Sequence, residues 1–164
     1  MTVSVNGIAH IQLTISKPEK SLPFWEKLLH FLEMETLLKS DNSLYCIGSR
    51  TGILVREAPA DKLDDHFDQD RPGLHHLCFR ARSKADVDKI GQFVTTELNA
   101  TVVHSAEDGS QFAPGYYSVL FEDLGGIRIE VNHVPGKGHF GRDGRLGGGV
   151  GPATHYGEDG LTSE

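Results

Sequence analysis

The chain has 164 residues and 18.0 kDa, the size of one domain or two very small ones, which excludes a large multidomain enzyme. Apolar residues make up 38% and charged residues 24%, enough for a sizeable core and too apolar for wholesale disorder. Sixteen Lys and Arg against 23 Asp and Glu give a net charge of −7, so no basic field is available for nucleic acid.

The opening residues, MTVSVNGIAH, lack a basic region followed by an apolar run, and no later stretch nears the ~20 apolar residues of a membrane span. A soluble, cytoplasmic protein with no membrane or nucleic-acid partner is expected. Gly7–Leu13 reads as a strand. A helix signal follows, with Ser16 or Ser21 as cap before Leu22, Trp25, Leu29 and Leu32. Pro23 is tolerable only in a first turn, which favours Ser21. Three short strands are predicted next, at 34–39, 43–48 and 52–57. The polar, acidic segment 58–72 reads as a surface linker.

The pattern then returns. Gly73–Phe79 lines up with Gly7–Leu13, His76 standing 66 residues after His10. Ser83 caps a second helix carrying Val87, Ile90, Val94 and Leu98, and strands are predicted at 101–105, 116–122 and 126–132. The unit is βαβββ, twice, within residues 7–57 and 73–132 of a domain spanning 1–135. The expected fold class is α+β, the two modules forming a curved, mostly antiparallel, cup-shaped sheet with the helices outside. Ten of the 19 glycines fall after Pro135, so 136–164 reads as a glycine-rich tail or arm. Cys46 and Cys78 have no CxxC spacing and read as free buried thiols.

Strand parity separates an apolar face from an open one. Ile11, Leu13 and Ile15 oppose His10, Gln12 and Thr14; Leu77, Phe79 and Ala81 oppose His76, Cys78 and Arg80; Ile127, Ile129 and Val131 oppose Arg128, Glu130 and Asn132. Any one of His10, His76 and Glu130 alone reads as a solvated or hydrogen-bonded side chain. Together, at matched places in a repeat, they supply two neutral imidazoles and a carboxylate, the donors of a divalent metal site with open positions.

The strings GIAHIQLTI, SLPFWEKLL, GLHHLCFRARSKADVD and YYSVLFEDLGGIRIEV resemble the vicinal oxygen chelate superfamily of glyoxalase I, fosfomycin resistance proteins, extradiol dioxygenases, methylmalonyl-CoA epimerase and bleomycin resistance proteins. The resemblance spans residues 7 to about 134. It implies that His10, His76 and Glu130 are metal ligands and that the protein is a homodimer; His75 points to the opposite face by strand parity and is read as a neighbour only. Some members carry a fourth ligand or base on the fourth strand. Aligning Gly52–Arg56 with Gly126–Glu130 puts Arg56 there, with Glu57 one residue away, which suits an anionic substrate better than proton abstraction.

Gln12, Arg56, Arg80 and Tyr117 are the predicted substrate-binding residues. Tyr117 and His104 are the candidates for catalytic groups. The implied activity is a metal-dependent dioxygenase or a glyoxalase-like lyase or isomerase, with Fe, Mn, Zn or Ni as cofactor and a small anionic or polyoxygenated substrate. A metal-free, drug-binding protein of the bleomycin resistance kind is the alternative, against which the three donors together argue.

Overall fold

The computed structural model describes residues 5, 7–48 and 50–135; the glycine-rich stretch 136–164 lies outside them. The elements run β1 (His10–Ile15), α1 (Pro18–Phe31), β2 (Glu35–Lys39), β3 (Ser43–Gly48) and β4 (Thr51–Glu57), then β5 (Leu77–Arg80), α2 (Lys84–Thr96), β6 (Thr101–Asp108), β7 (Tyr117–Glu122) and β8 (Arg128–His133). This is the expected α+β arrangement of two βαβββ modules. Strand hydrogen bonding gives two four-stranded sheets, ordered β1-β4-β3-β2 and β5-β8-β7-β6. The first and last strands of each module pair in parallel, while β3 runs antiparallel to both β2 and β4.

The chain divides into two compact units. One is the first module with the turn Glu122–Ile127; the other, among the described residues, is Leu74–Phe121 with Arg128–Pro135. In the first unit, Leu13, Ile15, Leu44, Cys46, Ile53 and Val55 bury one sheet face against Phe24, Trp25, Leu28 and Leu29 of α1. In the second, Leu77, Val119, Phe121, Ile129 and Val131 of the sheet and Val87, Ile90 and Val94 of α2 form the core. Each fully buried aliphatic side chain contributes about 1.5–3 kcal/mol, so the alternating strands have one stable way to face.

The start of the first helix differs from expectation. Pro18 occupies its first position after Lys17, which is left-handed (φ 51°, ψ 58°) and makes no side-chain cap. Proline suits that position, because its φ is already helical and the amide hydrogen it lacks would have no partner there. Ser21 is instead inside the first turns, fully buried, its Oγ donating to the Ser16 carbonyl at 2.8 Å. Pro23 lies inside the helix on its exposed side; the carbonyl it leaves without a helical donor belongs to exposed Glu19, where water can serve. Ser83 does cap α2, accepting from the Asp86 amide at 3.1 Å.

The turn ahead of β8 is built by a buried carboxylate. Asp123 accepts from the amides of Gly125 (2.9 Å) and Ile127 (2.8 Å) through Oδ1, and from Trp25 Nε1 (2.8 Å) through Oδ2. Gly126 takes φ 89°, a conformation glycine reaches without a Cβ clash, so the glycine lets the chain turn into β8. Burial raises the Asp123 carboxyl above its ordinary value, and the three donors oppose that shift.

Candidate metal centre

Burial follows the expected parity. Along β1, Leu13 and Ile15 are buried and His10, Gln12 and Thr14 exposed. Along β8, Ile129 and Val131 are buried beneath half-buried Arg128, Glu130 and Asn132. The registers are continuous: His10 sits beside Gly52, Gln12 beside Leu54 and Thr14 beside Arg56, while Cys78 sits beside Glu130 and Arg80 beside Asn132.

In the second unit these positions form a chain of polar contacts. His76 Nε2 is 3.1 Å from Glu130 Oε2, and the Glu130 side chain is only 13% exposed. Its other oxygen, Oε1, accepts the Tyr116 hydroxyl at 2.5 Å, and Asn132 Nδ2 donates to that hydroxyl oxygen at 3.0 Å. Burial, then the hydrogen bond to the carboxylate, pushes the Tyr116 phenol well above its ordinary range against the opposing Asn132 bond, so it is a donor at neutral pH. His75 Nδ1 lies 2.8 Å from His76 Nδ1. Both residues precede β5, so strand parity does not turn His75 away as expected.

The donors suit a divalent cation. Two ligand atoms ~2.1 Å from a metal and at right angles are ~3.0 Å apart, close to the 3.1 Å between His76 Nε2 and Glu130 Oε2. If Nε2 coordinates, the ring proton moves to Nδ1, where His75 Nδ1 can accept it; a ligating histidine commonly has such a partner. Among the described residues no three His, Cys, Asp or Glu side chains are gathered as a ready donor set, and His10 lies in the other unit, edge-on to Tyr45 with ring centroids 6.5 Å apart. Tyr45 lies over Gly52, where a Cβ would stand 2.8 Å from its Cζ.

The remaining predicted residues divide. Gln12 and Arg56 are exposed on the open parity of the first sheet, and Glu57 takes the opposite parity with no bulge in its pairing. The registers correct the fourth-strand alignment by two residues. Gln12 and Cys78, each two places past its repeat histidine, face Leu54 and Glu130 respectively, so Leu54 is the equivalent of Glu130, and Arg56 that of Asn132. Arg80 donates through Nη2 to the Val134 carbonyl at 2.9 Å.

Tyr117 faces the helix side of its sheet. It shares the parity of buried Val119 and Phe121, and its hydroxyl donates to Asp88 on α2 at 2.7 Å, with Lys84 Nζ 5.1 Å from its ring centroid. Its neighbour Tyr116, of the opposite parity, is the tyrosine whose hydroxyl meets Glu130. His104 lies within β6, 61% exposed and 3.6 Å from Glu107. Cys46 is buried as expected, but Cys78 is exposed, because Leu77 and Phe79 hold the core side. Desolvation of its sulfur and then the Glu130 charge hold the thiol far above its usual range.

A sequence model of the Glyoxalase/Bleomycin resistance protein/Dioxygenase superfamily matches residues 7–131. The uncharacterized protein YqjT of Bacillus subtilis (strain 168) is 28% identical over 122 residues, 74% of this chain and 94% of that one. Among solved structures, a glyoxalase-type protein from Bacillus halodurans is similar at a TM-score of 0.67 and 26% identity, covering 78% of this chain and 96% of that one. Lactoylglutathione lyase from Agrobacterium tumefaciens shares the fold at a TM-score of 0.55 and 22% identity, covering 79% and 94%. With its two βαβββ modules and a match over most of its length, the chain belongs to the Glyoxalase/Bleomycin resistance protein/Dioxygenase superfamily, the vicinal oxygen chelate proteins.

Proposed function

We propose that this chain is a divalent-metal-dependent enzyme of the glyoxalase or dioxygenase type, acting on a small anionic or polyoxygenated substrate, with His10, His76 and Glu130 as metal ligands. The observation that carries the reading is the approach of His76 Nε2 to Glu130 Oε2 at 3.1 Å on a carboxylate that is 13% exposed. A carboxylate so enclosed needs a cationic or hydrogen-bonding partner. His10 enters by its place in the repeat, equivalent to His76. Two imidazoles and one carboxylate suit Fe, Mn, Zn or Ni. Leu54, at the position equivalent to Glu130, offers no further donor, which supports a three-ligand site.

When bound, the ion supplies Lewis acidity toward paired oxygens of the substrate. The chain's own residues do the rest. Glu130 offers Oε2, His76 offers Nε2 while passing its ring proton toward His75, and Gln12 and Arg56 present an amide and a guanidinium from the open face of the first sheet. Arg80 is committed to the Val134 carbonyl and serves the site by position more than by charge. We further propose a homodimer, supported by β2, an edge strand exposed at all five residues; such edges invite pairing unless covered.

Elemental analysis after gel filtration tests the metal reading. Wild type is expected to retain one divalent ion per chain, His76→Ala and Glu130→Gln to lose it, and His75→Ala to retain it with weaker affinity. Equal metal content in wild type and both ligand variants would leave a metal-free binding protein of the bleomycin resistance kind.

A further inference from the structure

We propose that Tyr116, held by Asn132, is a positioning residue that commits Glu130 to bind its cation through Oε2 alone. The inference rests on the metal-site reading above and deepens it. A free carboxylate has two interchangeable oxygens and can ligate through either or both. Here they are distinguished: Oε1 takes the Tyr116 hydroxyl at 2.5 Å and Oε2 faces His76 Nε2 at 3.1 Å. The first contact has the length of a charge-assisted O–H···O⁻ bond, roughly twice as strong as a neutral one. Asn132 Nδ2 donates to the phenol oxygen at 3.0 Å, occupying a lone pair and leaving the hydroxyl hydrogen for Glu130.

The tyrosine ring is itself anchored. It packs against buried Ala113 and Val134 and meets Phe112 edge-on, with centroids 5.6 Å apart. Its amide donates to the Ala113 carbonyl and its carbonyl accepts from the Gly109 amide, both at 2.9 Å. At Gly109 a Cβ would stand 2.7 Å from Tyr116 Cδ1, so the missing side chain makes room for the ring. The segment joining β6 to β7 thus fixes a hydroxyl whose one acceptor is the carboxylate. Groups that orient a ligand from behind typically change metal affinity 10- to 100-fold when removed.

The test uses the full chain stripped of metal and titrated with Co(II), reading both affinity and the visible d–d spectrum, which reports ligand number and geometry. Tyr116→Phe keeps the ring packing and removes the hydroxyl. It is expected to weaken Co(II) binding about 10- to 100-fold and to alter the band shape, as a carboxylate freed to bind through both oxygens would. Asn132→Ala should give a smaller change in the same direction, and Tyr117→Phe none. If Tyr116→Phe fails to fold by circular dichroism, Asn132→Ala carries the test with the same two readings. Wild-type affinity and spectrum in the folded variant would overturn the positioning role and leave the metal site standing. Absence of saturable Co(II) binding in wild type would overturn the metal reading and this inference with it.

Discussion

Replacing Asp123 by Asn tests how the first unit is held together. The carboxylate is 4% exposed and accepts three hydrogen bonds, two from backbone amides on Oδ1 and one from Trp25 on Oδ2. Asparagine can keep its oxygen toward the amides of Gly125 and Ile127, but its NH₂ then meets the indole N–H, donor against donor. A buried donor left without a partner costs about 1–3 kcal/mol, so Asp123→Asn should lose about 2 kcal/mol. Asp123→Ala strips the acceptor from all three donors and should lose about 3–5 kcal/mol, the sum of three such bonds less relaxation.

The assay is urea unfolding followed by circular dichroism, since Trp25 is the chain's one tryptophan and its emission would respond directly to the change. Because burial raises the Asp123 carboxyl, the folded state holds this proton more tightly than the unfolded state. Stability from this group is therefore full below the unfolded carboxylate value and falls as pH rises through the folded one. The Asp123→Asn deficit should accordingly be larger on the acid side of that window than above it. A deficit under about 0.5 kcal/mol, the range of an unremarkable surface change, would refute the tie between Trp25 and the turn.

Two other outcomes are expected. Gly52→Ala should displace the Tyr45 ring that rests on this position beside His10, lowering stability by about 1–3 kcal/mol as overpacking does, read as a drop in melting temperature; an unchanged melt would mean the ring swings away at no cost. Light scattering at micromolar concentration should show a dimer for wild type and a monomer for Leu38→Lys, which charges an edge strand where Leu38 is 66% exposed. A monomeric wild type would remove the homodimer proposal.

Much of this architecture is local and so legible in one dimension. The period-two alternation of β1 and β8 depends only on successive side chains pointing to opposite faces, which is why the faces of His10 and Glu130 are legible without any knowledge of the pairing; His76 lies one residue ahead of β5, where that alternation does not reach. Ser83 three residues before Asp86 is likewise a short-range signal, and it caps α2 as read. The start of α1 at Pro18 is not legible locally, because a left-handed Lys17 carries no side-chain signature. A shift of one residue along the chain moves a tyrosine from the Glu130 face, where Tyr116 lies, to the α2 face, where Tyr117 lies.

Other features had no local trace at all. Which residue of β4 matches Glu130 depends on how far β1 slides along β4 and β5 along β8, and those registers differ by two places between the modules. The Asp123 bond to Trp25 joins residues 98 apart. The pattern of side chains along each strand was written in the sequence; which strand residues stand abreast, and which oxygen of Glu130 is taken by a phenol, were decided only when hydrogen bonding between distant segments closed the sheets, because a backbone ladder is satisfied equally well at several registers until side-chain packing selects one.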